Sequence, residues 1–143
     1  MSGFYDEILM DHIRNARNYR VMADPDERIE AANPLCGDRI ELQVKWAGDR
    51  VADAAFQCEA CGISMASTSV LTELVGGLTR PQLLRLCDEF ATAIRAQADA
   101  ADLDGRWSTA QLAILATARR FPARESCARL PWDALSNALR DRA

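Results

Sequence analysis

Dense runs of basic residues and long apolar segments are both missing from this sequence of 143 residues. Lysine occurs once, at Lys45, and the arginines are scattered, so the chain offers no continuous positive stripe for a phosphate backbone. We therefore expect no nucleic-acid partner. No segment approaches the roughly 18 consecutive apolar residues that a membrane-spanning helix requires, so we also expect no membrane insertion.

The start of the chain also lacks the features of a secretory or organellar targeting segment. Acidic residues occur by Asp6 and no uninterrupted apolar stretch follows, which predicts a cytoplasmic protein. The five cysteines are an odd number, which argues against a framework of disulfides and favours metal binding, thiol chemistry or packing in the core. The single histidine, His12, lies on the apolar side of a predicted helix, where we expect a packed or hydrogen-bonded residue.

The spacing of apolar residues predicts strands followed by helices. After an amphipathic opening helix, a short strand is expected at 29–32, and alternation at 40–46 and 51–57 indicates a β-hairpin. From Gly62 onward the apolar residues repeat at helical spacing. Strands followed by helices indicate an α+β domain, with helices packed on one face of a small antiparallel sheet of about three strands. We expect residues 1–143 to form a single domain.

Capping patterns predict where the later helices begin. Thr79 with Gln82, and Ser108 with Gln111, form capping boxes ahead of apolar residues at helical spacing. The polar stretch around 98–108, between these two helices, is expected to be an exposed link or an irregular insertion. With the helix that starts behind Cys61, the sequence thus predicts three helices after the hairpin, and a further apolar pattern predicts a last helix near the end of the sequence.

Residues able to bind a metal lie at the predicted ends of these elements. They are Cys36 and Asp38 before the hairpin, Cys58 and Cys61 between its second strand and a helix, and Cys127 in a loop before the last helix. Thiolates and a carboxylate form a suitable tetrahedral shell for zinc. The helix behind Cys61 would favour the thiolate form of this cysteine.

Pro131 is predicted in the first turn of the last helix. From spacing alone, buried or incidental thiols remain an alternative, and Cys87, within an apolar stripe, is expected in the core.

Taken in order, several motifs resemble those of the NifU/IscU family of iron-sulfur cluster scaffold proteins over nearly the whole chain. They are YDEI, DH and RN in the first helix, NPLCGD at 33–38, CGIS at 61–64 continuing into AS, TE at 72–73, and PAR at 122–124 leading to CARLPW at 127–132. The resemblance implies the SufE/NifU-like α+β fold. It also implies that Cys36, Asp38, Cys61 and Cys127 surround one metal or cluster site.

Two features favour the SufU branch of that family. No histidine stands next to the last cysteine, where the IscU branch has one, and the material around 98–108 resembles the insertion that marks SufU-type proteins. That branch binds zinc and accepts persulfide sulfur from a SufS-type cysteine desulfurase. The resemblance therefore implies Cys36 as the sulfur acceptor and Arg124 as a supporting residue. It also implies contacts with other Suf assembly components and with apo forms of iron-sulfur proteins.

Cys58 departs from the family pattern, which has a glycine at this position. Two roles are open to it: it could replace Asp38 as a ligand, or it could form a redox disulfide with Cys61.

Four alternative functions remain open for the protein. They are a zinc-bound sulfur acceptor, which the resemblance favours, a scaffold that assembles a [2Fe-2S] cluster on the three cysteines of the implied site, a thiol-disulfide oxidoreductase, and a structural zinc module. Whether the protein acts as a zinc-dependent sulfurtransferase or as a non-enzymatic scaffold stays open at this point.

Overall fold

The structure, a computed structural model, describes residues 2–35, 37–103 and 105–141. The α-helices in these ranges are α1 (Ser2–Arg14), α2 (Gly62–Leu74), α3 (Arg80–Arg95), α4 (Thr109–Arg120) and α5 (Glu125–Asp141). The strands are β1 (Glu27–Asn33), β2 (Asp38–Ala47) and β3 (Arg50–Glu59). Cys36, the predicted sulfur acceptor, lies outside the described residues.

The strands form an antiparallel sheet in the order β1-β2-β3. Ile29 is paired with Leu42, and Leu42 with Phe56, so that buried apolar side chains line up across one face. All three strands are longer than predicted by two or more residues at one or both ends, because backbone pairing continues beyond the apolar residues that reveal a strand in the sequence. The predicted α+β architecture with a small antiparallel sheet is confirmed.

Helices α2 and α5 pack against the sheet, and the other helices pack around this pair. The buried side chains of the sheet and the helices form a continuous hydrophobic core. At its centre, the rings of Phe90 and Trp132 meet edge to face with centroids 4.6 Å apart. Cys87 is fully buried beside them in the core, as predicted. Within the described residues, no helix is long and apolar enough to cross a membrane.

Both predicted capping boxes are present. The Thr79 side chain accepts a hydrogen bond from the backbone N–H of Gln82, whose side chain accepts one from the backbone N–H of Thr79. Ser108 and Gln111 make the same reciprocal pair. Helices α3 and α4 begin directly after the N-cap residues Thr79 and Ser108, so the sequence predicted both starting points correctly.

The stretch around 98–108 is partly buried rather than a fully exposed link. It contains a 3-10 turn, Ala100–Leu103, whose first residue packs into the core at 5% exposure. Asp104, within the same stretch, lies outside the described residues. That the stretch around 98–108 is an insertion of the SufU type stays a prediction.

Helix α5 begins earlier than the sequence suggested. It follows directly on a 3-10 turn at Pro122–Arg124, so that Cys127 lies in its first turn rather than in a loop. The prediction that Pro131 occupies the first turn was wrong, because Pro131 lies inside the helix. Proline prefers a helix start but can occupy an interior position where the carbonyl four residues earlier finds another donor. The Ser64 hydroxyl, described below, lies 3.1 Å from the Cys127 carbonyl oxygen and is a donor within reach of it.

Candidate metal centre

Asp38 is the first residue of β2 and pairs with Asn33, the last residue of β1. Its side chain is buried, with 2% exposure. Oδ1 accepts the backbone N–H of Cys61 at 2.8 Å, and Oδ2 accepts the hydroxyl of Ser64 at 2.6 Å. Hydrogen bonds to both oxygens compensate for the burial of the carboxylate and hold its orientation.

The structure brings together three of the four predicted ligands. Cys61 is the N-cap residue of α2, and Cys127 lies in the first turn of α5. One carboxylate oxygen of Asp38 and the two sulfur atoms all lie within 4.8 Å of one another. We call Asp38, Cys61 and Cys127 the Asp-Cys-Cys group. One oxygen and two sulfur donors are a set that zinc accepts, and zinc needs one further ligand to complete four-coordination, so these residues fit a zinc ion.

The turn between β1 and β2, which precedes Asp38, is shaped by a glycine and an asparagine. Gly37 has a φ of +72°, in the left-handed region that favours glycine. Asn33 accepts the N–H of Gly37 at its carbonyl at 2.8 Å, and the N–H of Leu35 at its side-chain oxygen at 3.1 Å. Cys36 belongs to this turn by sequence but is not among the described residues, so its place as the fourth ligand stays a prediction.

Asn33 also connects the turn between β1 and β2 to helix α5. Its Nδ2 donates to Ser126 Oγ at 2.9 Å and lies 3.9 Å from Cys127 Sγ. Asn33 and Ser64 were both in the quoted motifs, but sequence reasoning gave neither a role at the site. A signal existed for Ser64, because a residue three positions after Cys61 lies on the same side of a helix.

Serines of α2 bind backbone carbonyls of α5 around its interior proline. In a regular helix the Cys127 carbonyl would accept the N–H of residue 131, but Pro131 has no N–H. Ser64 Oγ lies 3.1 Å from this carbonyl oxygen and can donate to it. Ser67 Oγ donates to the next carbonyl, that of Ala128, at 2.6 Å. The packing of α2 on α5 therefore places hydroxyl groups within hydrogen-bonding distance of two carbonyls near the proline, one of which, that of Cys127, shares the Ser64 proton with Asp38.

Cys58 lies inside β3, opposite Ile40 of β2, and not in a loop behind the strand. Burial raises the pKa of its thiol to about 11, and negative charge at Asp38 and Cys61 adds to the effect. The thiol is therefore protonated at neutral pH. The structure places Asp38 rather than Cys58 in the Asp-Cys-Cys group, and Cys58 and Cys61 are both free thiols. Neither role considered for Cys58 gains support from this geometry.

His12 is buried, and its role in packing and hydrogen bonding is as predicted. Its Nδ1 lies 2.7 Å from Ser69 Oγ, and its Nε2 lies 3.5 Å from a carboxylate oxygen of Glu73. Burial lowers the pKa of His12, and the positive charge of Arg17 lowers it further. His12 thus links α1 to α2 and is not part of the Asp-Cys-Cys group.

Arg124 ends the 3-10 turn that leads into α5, three positions before Cys127. The residue is exposed, at the same end of α5 as the candidate ligands. Its supporting role at the site stays a prediction.

Comparison with known proteins shows similarity along nearly the whole chain. The family described as "NifU-like N terminal domain" matches residues 4–128. The chain is 36% identical over 139 residues to the zinc-dependent sulfurtransferase SufU of Bacillus subtilis (strain 168), covering 97% of this chain and 91% of that protein. It is 32% identical over 140 residues to the iron-sulfur cluster assembly scaffold protein IscU of Streptococcus pyogenes serotype M1, covering 98% and 85%.

A solved structure shares the fold. It is the crystal structure of a protein from Fervidobacterium islandicum AW-1, described as a candidate iron-sulfur cluster assembly scaffold of the SUF system. It matches with a TM-score of 0.79 at 26% identity, covering 93% of this chain and 94% of that one. The elements that carry the Asp-Cys-Cys group therefore belong to a known architecture.

Proposed function

The chain belongs to the NifU-like N-terminal domain family, and we propose that it accepts sulfur for iron-sulfur cluster assembly. The acceptor is Cys36, and the donor is a persulfide on a SufS-type cysteine desulfurase. The proposal rests chiefly on the Asp-Cys-Cys group, whose ligand atoms lie within 4.8 Å of one another. It is supported by the similarity to a protein named as the zinc-dependent sulfurtransferase SufU.

The residues that would hold the metal are Cys36, Asp38, Cys61 and Cys127. When bound, zinc would act as a Lewis acid and keep the coordinating cysteines in the thiolate form at neutral pH. Asp38 contributes a hard oxygen donor among soft sulfur donors, and we expect it to be the weakest of the four ligands. Because the proposed ligands must be reduced cysteines rather than disulfides, the protein requires a reducing compartment, and we place it in the cytoplasm.

Sulfur transfer uses the thiolate of Cys36 as the nucleophile. It attacks the outer sulfur of the donor persulfide, so that a new S–S bond forms at Cys36 while the S–S bond of the donor breaks. The donor cysteine leaves as a thiolate and Cys36 carries the persulfide, so the exchange needs no external oxidant or reductant. Arg124, which is exposed near the start of α5, stabilises the anionic persulfide or contacts the desulfurase.

Assembly of a [2Fe-2S] cluster on Cys36, Cys61 and Cys127 is the second candidate function. It is supported by the similarity to a protein named as the scaffold IscU, over 98% of this chain. Such a scaffold would pass its cluster to apo iron-sulfur proteins. We favour zinc because Asp38 supplies an oxygen to the Asp-Cys-Cys group, whereas clusters are held mainly by thiolates.

The metal and acid-labile sulfide contents distinguish the two functions. The protein is purified without oxygen and without added iron, and both contents are measured per chain. We expect one zinc ion per chain and no sulfide. Iron with a matching amount of sulfide would instead support the cluster scaffold, and absence of any metal would contradict both functions.

The role of Cys36 is tested by sulfur transfer from a SufS-type desulfurase. We expect the wild-type chain to enhance desulfurase turnover and to gain the mass of one sulfur atom at Cys36. Cys36→Ser should lose both effects. Cys58→Ser is the matched control, because Cys58 is a nearby thiol outside the Asp-Cys-Cys group, and it should retain both. Full enhancement by Cys36→Ser would show that the acceptor is a different residue.

A further inference from the structure

Ser64 lies where β2, α2 and α5 meet, and its side chain is fully buried. Its Oγ is 2.6 Å from Asp38 Oδ2, 3.1 Å from the carbonyl oxygen of Cys127 and 3.8 Å from Cys61 Sγ. One hydroxyl therefore contacts all three members of the Asp-Cys-Cys group, which come from three different elements.

The hydroxyl has one proton to donate and lone pairs that can accept. It can donate to Asp38 or to the Cys127 carbonyl, but not fully to both. The contact with Asp38 is the shorter of the two, and its length is typical of a hydroxyl that donates to a carboxylate. Asp38 is therefore the preferred acceptor. The thiol of Cys61 can in turn donate to Ser64 Oγ.

This hydrogen bond completes the anchoring of the Asp38 carboxylate. Oδ1 is already bound by the backbone N–H of Cys61, and Ser64 binds Oδ2. With both oxygens held, the carboxylate cannot rotate away from the sulfur atoms, yet each oxygen keeps a lone pair for a metal ion. Without the hydroxyl, Oδ2 would lose a donor in a buried position.

We propose that Ser64 is a positioning residue of the metal site: its hydroxyl donates to Asp38 and holds it in place as the oxygen ligand. The inference rests on the proposed function only through the metal-binding role of the Asp-Cys-Cys group and does not depend on sulfur transfer to Cys36. Hydrogen bonds from outside the coordination shell typically change metal affinity by about 10- to 100-fold.

The test compares Ser64→Ala with Ser67→Ala. Ser67 is the control, because it is also fully buried in α2 and contacts α5, donating to the carbonyl of Ala128 and accepting the indole N–H of Trp132, but it is not part of the group around Asp38. Zinc affinity of the full-length reduced chain is measured by competition with a chelator, without any desulfurase. The same variants are loaded with Co²⁺, whose visible absorption reports the ligand set and its geometry. Unfolding midpoints of the metal-free proteins give the loss of stability.

We expect Ser64→Ala to weaken zinc binding by about 10- to 100-fold and to alter the Co²⁺ spectrum. Ser67→Ala should lower the unfolding midpoint at least as much, because it also removes the acceptor of the buried Trp132 N–H, but it should retain the wild-type affinity and spectrum. Unchanged affinity and spectrum in Ser64→Ala would overturn the inference and leave the proposed function intact. Equal loss of affinity in both variants would also overturn it, because the effect would then come from the packing of α2 on α5.

The outcome separates this inference from the proposed function. If the wild-type chain binds no zinc, both are wrong. If zinc binding depends on Ser64 but Cys36→Ser still accepts sulfur normally, the role of Ser64 stands and the assignment of the acceptor fails.

Discussion

Asp38 accepts the backbone N–H of Cys61 at 2.8 Å, so one buried carboxylate joins the start of β2 to the N-terminus of α2. Helix N-termini have unpaired N–H groups and a partial positive charge that favours an anion. Asp38 therefore stabilises the helix end that carries Cys61 and also contributes an oxygen to the Asp-Cys-Cys group. Stability of the site and affinity for a metal depend on the same residue.

Replacement of Asp38 should weaken metal binding more than replacement of Ser64. Asp38→Ala removes a ligand as well as the acceptor of two hydrogen bonds, so we expect zinc affinity to fall by more than the roughly 10- to 100-fold expected for the loss of a supporting contact. Chelator competition measures this effect. Asp24→Ala is the control, because the Asp24 side chain is 94% exposed and contacts Lys45. Equal affinities for Asp38→Ala and wild type would remove Asp38 from the ligand set.

Gly62, at the start of α2, leaves space for a side chain of α1. A Cβ at this position would lie 2.9 Å from Ile13 Cδ1. We expect Gly62→Ala to cost less than the roughly 1–3 kcal/mol typical of overpacking, because Ile13 Cδ1 is the end of a side chain that can shift. The higher helix propensity of alanine offsets up to about 1 kcal/mol of this cost. Ile13→Val removes Cδ1 and should relieve the clash.

A double-mutant cycle in urea tests this contact. Gly62→Ala should destabilise the Ile13→Val protein less than it destabilises the wild type. Strictly additive effects of the two substitutions would show that Ile13 does not limit the size of the residue at position 62.

The thiol of Cys58 should make stability depend on pH in the alkaline range. Burial raises its pKa from 9.0 to about 11, so the folded state holds this proton more tightly than the unfolded state. The stabilising contribution is complete below pH 9 and should be lost as the pH rises to about 11. Urea unfolding of the metal-free wild type and of Cys58→Ser should therefore diverge in this window. The buried Cys87 is present in both proteins, so its own titration cancels in the difference.

If the two proteins show the same dependence on pH between 9 and 11, the Cys58 thiol is not protected by burial. Alkylation of Cys58, followed by mass spectrometry across the same pH range, provides an independent check on the protonation of this thiol.

His12 should make stability depend on pH on the acid side. Burial lowers its pKa below the ordinary value of 6.5, so the unfolded state binds a proton more readily than the folded state. The stabilising contribution is complete above pH 6.5 and should be lost as the pH falls through the lowered pKa. His12→Asn keeps an acceptor near Ser69 but cannot titrate, so its stability should change less than that of the wild type just below pH 6.5. Parallel curves in that window would contradict the prediction.

Residues that repeat at regular spacing or follow capping rules were predictable, because these patterns depend on neighbours in the chain. The capping boxes at Thr79 and Ser108 and the start of α2 behind Cys61 are of this kind. The first turn of α5 was not predictable in the same way. Pro131 suggests a helix start by local rules, whereas the structure places it inside α5, where the Ser64 hydroxyl of another helix lies 3.1 Å from the Cys127 carbonyl that would otherwise accept the N–H of residue 131.

The sequence by itself determined the α+β class, the membership of the family through its motifs, and the candidate ligands Asp38, Cys61 and Cys127. The resemblance implied that these ligands share one site, and the tertiary structure shows the distances at which the three converge. Only the tertiary structure decided that Cys58 lies inside a strand and that Ser64 joins the group. The physical reason is that the three ligands come from three elements far apart in the chain, and that a buried hydroxyl has a role only through partners that packing brings within hydrogen-bonding distance.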